Sequence, residues 1–199
     1  MWWARLLNVI AGLHGTGAVV PPAPVQAYES IQTITVTSSQ AAIEFTSIPS
    51  TYKHLQIRAI AKNVTTGAAD YDNLNMQVNT DTAANYSWHY IQSQAAGTPG
   101  ASAGSSTSFC TVGGIERSGT GQTSGFSGLV LDILDYQNTN KYKTFRAISG
   151  TEYNGTYAYL LFTSGNWRST TAISSIKFVV NTGVNFATYT SFALYGIKG

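Results

Sequence analysis

The feature that most restricts the fold is a series of short alternating segments, broken by turn residues, running from Tyr28 to the C-terminus without a helical repeat. Apolar residues at every second position are the signature of a strand with one buried face. Leu55, Ile57, Ala59 and Ala61 follow it, as do Ile176, Phe178 and Val180. The expected strands are Ser30–Thr37, Ala41–Phe45, His54–Lys62, Asn73–Asn79, Tyr86–Ser93, Ser106–Val112, Gly125–Tyr136, Tyr142–Ser149, Tyr157–Thr163, Ile173–Val180 and Ser191–Ile197. Within Gly125–Tyr136, Leu129, Leu131 and Ile133 alternate with Val130 and Leu134, which predicts a central strand buried on both sides. Turn chemistry separates the segments at Ile48-Pro49-Ser50, Gly67, Thr98-Pro99-Gly100, Gly113-Gly114, Asn138–Asn140, Asn154-Gly155 and Ser164-Gly165-Asn166. The pattern predicts an all-β fold, a jelly-roll-like antiparallel β-sandwich over residues 28–199. Ala95–Gly125, rich in Gly, Ser, Ala and Thr, reads as a long surface excursion around the apolar island Phe109–Val112.

Residues 1–27 have a different character. Trp3, Leu6, Leu7 and Ile10 fall at i, i+3, i+4 and i+7, and Trp2, Val9 and Leu13 widen that face. A helix this short does not hold alone and needs a surface to dock on. Gly12, Gly15 and Gly17, then Pro21, Pro22 and Pro24, form a stiff spacer to the β body. The expectation is a short N-terminal helical anchor, with Trp2, Trp3, Leu6, Leu7, Ile10 and Leu13 as partner-docking residues. Arg5 follows the two tryptophans instead of preceding the apolar run, which argues against a signal peptide. The run from Trp2 to Leu13 is also too short to span a membrane.

Charge narrows the function classes. Only 10% of residues are charged, against roughly 25% in an average soluble domain. A surface of Ser, Thr, Asn, Gln, Gly and Tyr repels neighbours weakly and suits a protein packed within an assembly. The basic residues are scattered singly, so no nucleic-acid footprint is expected. Cys110 is the single cysteine and excludes an internal disulfide. His14, His54 and His89 have no metal-ligand spacing. Asp70 and Asp72 near Asp81 lack the glycine turn and closing glutamate of a calcium loop, so no metal or cofactor is expected. Asp132 and Asp135 are three apart in one predicted strand and fall on opposite faces. A polysaccharide hydrolase would need two convergent carboxylates among these acids, Glu116 and Glu152. No nucleophile elbow or phosphate loop occurs, no catalytic residue is expected, and an enzyme is the least favoured class.

Aromatic residues are the remaining resource. Trp88 shares one strand face with Tyr86 and Tyr90, and Trp167 follows a Gly-Asn pair. Trp88, Tyr90 and Trp167 are candidate glycan-binding residues, because an aromatic face packs on a pyranose while neighbouring amides bond its hydroxyls. The competing reading makes them core or subunit-interface anchors.

Six segments, in order, carry a resemblance: YESIQTITV, FTSIPSTYKHLQIR, NYSWHYI, LDILDYQNTNKYKTFR, SGNWRSTTAISSI and SFALYGIKG. They resemble a module repeated in phage structural genes, especially those of cyanobacterial phages. Members carry NGD near the NYS segment, where this chain has NTDTAANYS, a change confined to a turn. ARLLNVIAGLHGTG resembles leaders that precede such modules. The resemblance implies a virion protein: a tail, fibre or minor structural component, or a capsid decoration protein. Its partners would be other virion proteins and further copies of itself, with a trimer expected, and host attachment through a surface glycan is the alternative role. Within these segments Pro49 reads as the end of a strand, Tyr52 as a cap on the corner, and FALYGIKG as a last strand closing against an early one such as ITV.

Overall fold

The computed structural model describes residues 26–66, 71–94, 97, 99–119, 124–152 and 158–199. These residues are all-β, with twelve strands and no helix. The strands are β1 (Tyr28–Thr35), β2 (Ala42–Phe45), β3 (His54–Asn63), β4 (Tyr71–Val78), β5 (Tyr86–Gln94) and β6 (Gly100–Thr107). They continue with β7 (Cys110–Arg117), β8 (Ser127–Leu134), β9 (Lys143–Thr151), β10 (Tyr159–Trp167), β11 (Ile176–Val180) and β12 (Ser191–Ile197). The expected anchor helix and its docking residues Trp2 to Leu13 lie outside the described residues.

Hydrogen bonding joins all twelve strands into one open mixed sheet. A larger layer runs β1-β12-β3-β8-β9-β10-β5-β6, every pair antiparallel. A smaller layer runs β2-β11-β4-β7, also antiparallel. Among the described residues the one parallel link is the register Lys62↔Glu116 and Asn63↔Arg117, where the end of β3 leaves the larger layer to meet β7. Beyond that link the sheet doubles back, so β7 packs across β9 and β10 instead of beside them.

The core lies between the layers. Alternation in β8, β9 and β10 sends Leu129, Leu131, Ile133, Phe145, Ala147 and Leu161 inward. From the other side come Ile43, Phe45, Leu74, Met76 and Phe178. Phe178 of β11 meets Phe192 of β12 with ring centroids 5.0 Å apart, and Phe186 approaches the same ring edge-on at 5.7 Å. Enclosing each such side chain contributes about 1.5–3 kcal/mol over leaving it in water. The last strand closes against the first as expected, with Ile34 opposite Phe192 and Thr35 opposite Ser191. At the corner before β3, β2 already ends at Phe45, so Pro49 lies in the connection and does not end a strand. Tyr136 donates its hydroxyl to the Pro49 carbonyl, and Tyr52 lies over Gly196 while donating to Glu29 Oε2 at 2.9 Å.

Four other expectations need correction. The segment Ala95–Gly125 is not an excursion: it contains edge strand β6 and then β7, the most enclosed strand of the molecule. Gly113-Gly114 is not a turn but the middle of β7. A Cβ on Gly113 would stand 2.6 Å from Ser149 Oγ, and one on Gly114 would stand 2.7 Å from the Tyr71 ring. Ser164-Gly165-Asn166 is likewise strand, and Gly165 is there because Cys110 Sγ occupies the space of its missing side chain. Finally, β8 is central in its layer but covered on one face alone, since Val130 is exposed and Leu134 half-buried.

Candidate functional site

The three aromatic residues singled out as a glycan platform occupy two places. Trp88 and Tyr90 lie on the inner face of β5, stacked with centroids 5.6 Å apart and planes 6° from parallel. Gly104 of β6 passes so close beneath Trp88 that a Cβ there would sit 2.6 Å from the indole. The Trp88 Nε1 is enclosed and has no hydrogen-bond partner among the described residues, and Tyr90 packs with Tyr159 and Leu161. Trp167 is 3% exposed at the end of β10 and donates its Nε1–H to Asp81 Oδ2 at 2.6 Å. A ring that stacks on a sugar needs an open face, and Tyr90 and Trp167 have none.

Asp81 belongs to that same corner. Burial pushes its pKa up, but hydrogen bonds from Asn85 Nδ2, Trp167 Nε1 and the Ala83 amide outweigh burial and leave it below the usual carboxylate value. Beside it the Tyr86 hydroxyl accepts from the Val78 amide at 3.0 Å and donates to the Asp81 carbonyl at 3.1 Å. Burial of Tyr86 pushes its phenol up to about 12.

Most of the other acids weighed from sequence, where described, are also tied into the fold. Asp72 is buried and receives Arg117 Nη2 at 2.6 Å and Asn63 Nδ2 at 2.8 Å, partners that Asp81 does not share. Asp70 lies outside the described residues. Glu116 is fully buried, with Lys62 Nζ 3.6 Å away and Thr151 Oγ1 donating at 3.3 Å. Asp135 sits in the turn after β8, where Lys141 and then Lys53 hold its carboxyl below the usual range. Asp132 accepts from Gln56 Nε2 at 2.8 Å, and Glu152 is exposed. His54 Nδ1 accepts the Asp135 amide at 2.9 Å, His89 is exposed, and His14 lies outside the described residues. Among the described residues no three of His, Cys, Asp and Glu gather as a metal site. Burial raises the Cys110 thiol far above its ordinary pKa, which keeps it inert.

What the structure does assemble is the outer face of the larger layer. Cross-strand register places Arg58, Val130, Ile148, Phe162, Ile91 and Ala101 in one row across β3, β8, β9, β10, β5 and β6. The neighbouring row is Ile60, Gly128, Gly150, Leu160 and Ser93. Ile148, Phe162, Leu160, Ile60 and Ile91 are 46–62% exposed. At ~200 Å² per large side chain these five and Val130 present roughly 600 Å² of apolar surface, the upper end for a monomer. Below them runs a polar row of Gln56, Asp132, Arg146, Ser164 and His89. Sequence reasoning missed this face. The signal was the apolar Val130 and Leu134 set, assigned to a second core instead of to solvent.

Comparison with known proteins adds little. No protein-family model matches the chain, and no curated protein matches it. Among solved structures, a fructofuranosidase variant from Schwanniomyces occidentalis complexed with fructosylnystose aligns at 9% identity and a TM-score of 0.26. The alignment covers 90% of this chain and 35% of that one, and likeness at this level carries no argument.

Proposed function

We propose that the chain is a non-enzymatic structural protein of a bacteriophage virion, a surface or tail and fibre component whose β body packs against other virion subunits. The observation that carries this reading is the apolar outer face of the larger layer, set in a chain with few charges. Contiguous apolar surface of this size marks an interaction site. The resemblance of six ordered segments to phage structural modules supplies the virion context. We read the body as a jelly-roll β-sandwich: β1-β12-β3-β8 and β2-β11-β4-β7 alternate along the chain in the order of its two four-stranded layers. On that reading β5–β6 and β9–β10 are insertions that widen one layer and create the apolar face. Jelly rolls serve in capsids and lectins alike, so the fold is compatible with the role without selecting it.

The non-enzymatic part of this reading draws on four of the described acids. A general acid needs a raised carboxyl pKa, whereas Asp81 and Asp135 are lowered and Asp72 and Glu116 face cationic partners. Residues 1–27 are proposed as the docking peptide, through Trp2, Trp3, Leu6, Leu7, Ile10 and Leu13. Deleting residues 1–20 leaves a folded, soluble body that no longer joins particles; normal incorporation would refute the anchoring role. A copy number matching the capsid lattice selects decoration of the shell, and one matching tail symmetry selects tail or fibre.

A further inference from the structure

We infer that the cleft where β3 leaves the larger layer is a binding site for a pyranose unit of a glycan, with Tyr189 as its stacking face. The cleft has a volume of about 490 Å³ and is lined by Lys62, Val64, Ser118, Phe126, Thr188 and Tyr189, among others. That size falls in the range of small-molecule sites. The lining holds two separate aromatic rings, Phe126 and Tyr189, a valine and the hydroxyls of Ser118 and Thr188, the mixture that a sugar's apolar face and hydroxyl rim require.

Tyr189 is the observation that separates a site from a mere surface groove. The Thr190 amide donates to the Ala187 carbonyl at 3.2 Å, closing a tight turn in which Tyr189 has φ +72°. Glycine is the residue that such a left-handed position favours, because any side chain there strains the backbone. Here the position holds a large aromatic ring, and that ring is 76% exposed. Its ring meets no other aromatic ring among the described residues. Six described non-glycine residues have positive φ, and Tyr189 is the one among them that carries an aromatic ring, with a strain that is not offset by core packing. Within the lining the Lys62 ammonium lies 5.5 Å from the Phe126 ring and 3.6 Å from Glu116 Oε1. Lys62 is 3% exposed and already paired, so it shapes the base of the cleft and leaves the sugar contacts to Tyr189 and the hydroxyls.

These residues are not the Trp88, Tyr90 and Trp167 that the sequence suggested. The cleft also shares no residue with the apolar outer face, so this inference does not rest on the assembly reading. The test is titration of the ¹⁵N-labelled full chain with methyl glucoside, methyl galactoside, methyl mannoside, N-acetylglucosamine and glucuronate. We expect saturable shifts confined to amides lining the cleft, with a Kd in the millimolar range; selective response to glucuronate would identify an acidic glycan. Tyr189→Gly weakens binding about tenfold and leaves the melting temperature unchanged or higher, while Tyr189→Phe binds as the natural chain does. The inference is overturned if no sugar shifts the cleft amides at about 50 mM, well past that affinity. It is equally overturned if Tyr189→Gly keeps full binding, or if it melts lower, which would make Tyr189 a structural residue.

Discussion

The two faces of the larger layer are built from similar residues and meet opposite fates. Leu131, Ile133, Phe145 and Leu161 point inward and are sealed by the smaller layer. Val130, Ile148, Phe162 and Leu160, one position away on the same strands, point outward and remain exposed. Hydrophobicity therefore does not mark the core of this sheet; the reach of the four-stranded layer does. An apolar face left over once the core is complete is where a partner adds the most.

Paired substitutions test that contrast most sharply. Phe145→Ala on the inner face costs about 3–5 kcal/mol in urea unfolding, because the cavity cannot collapse between two sheets. Phe162→Ala on the outer face changes stability by less than about 0.5 kcal/mol. Equal losses would mean that another part of the chain already covers the outer face.

Next in size is Gly165→Ala, whose added methyl meets Cys110 Sγ from the smaller layer. Overpacking there costs about 1–3 kcal/mol, and adding Cys110→Ala recovers part of it, a coupling that a double-mutant cycle measures. Trp167→Phe removes the indole donor from Asp81 and costs about 1–3 kcal/mol in urea unfolding.

The acid response is smaller. Asp81 and Asp135 have folded pKa values below their unfolded ones, so their contribution is full above the unfolded value near 4 and is lost as pH falls through the folded values. Stability should decline below about pH 4, and Asp81→Asn should flatten that decline in acid melts. Smallest in stability, and largest in consequence for assembly, is Ile148→Glu with Phe162→Glu. The doubly substituted protein melts like the parent yet fails to enter particles; unimpaired entry would remove the outer face from the proposed interface.

Much of the strand order was readable along the chain, because each strand needs only its neighbours' alternation to declare itself. Leu55 and Ile57 enter the core as their spacing requires, and the terminal strand finds β1. The glycines were misleading. Gly113, Gly114 and Gly165 look like punctuation, but each is small because a residue far along the chain presses on it: Ser149, Tyr71 and Cys110 respectively. The candidate site was less legible still. Trp88 and Trp167 attract notice by type, whereas Tyr189 is distinguished by a backbone angle that no local pattern announces.

What the order of residues decided alone is that residues from Tyr28 onward form strands, where they alternate, and which two sets of side chains each strand divides. These are local matters, governed by sterics and side-chain parity within a few residues. Which set became core, which glycine became a contact, and which aromatic ring was left in solvent were decided by strand pairing across the molecule. Burial is a property of what lies opposite, and for Val130, Gly165 and Tyr189 the deciding neighbour, or its lack, is set by the tertiary fold.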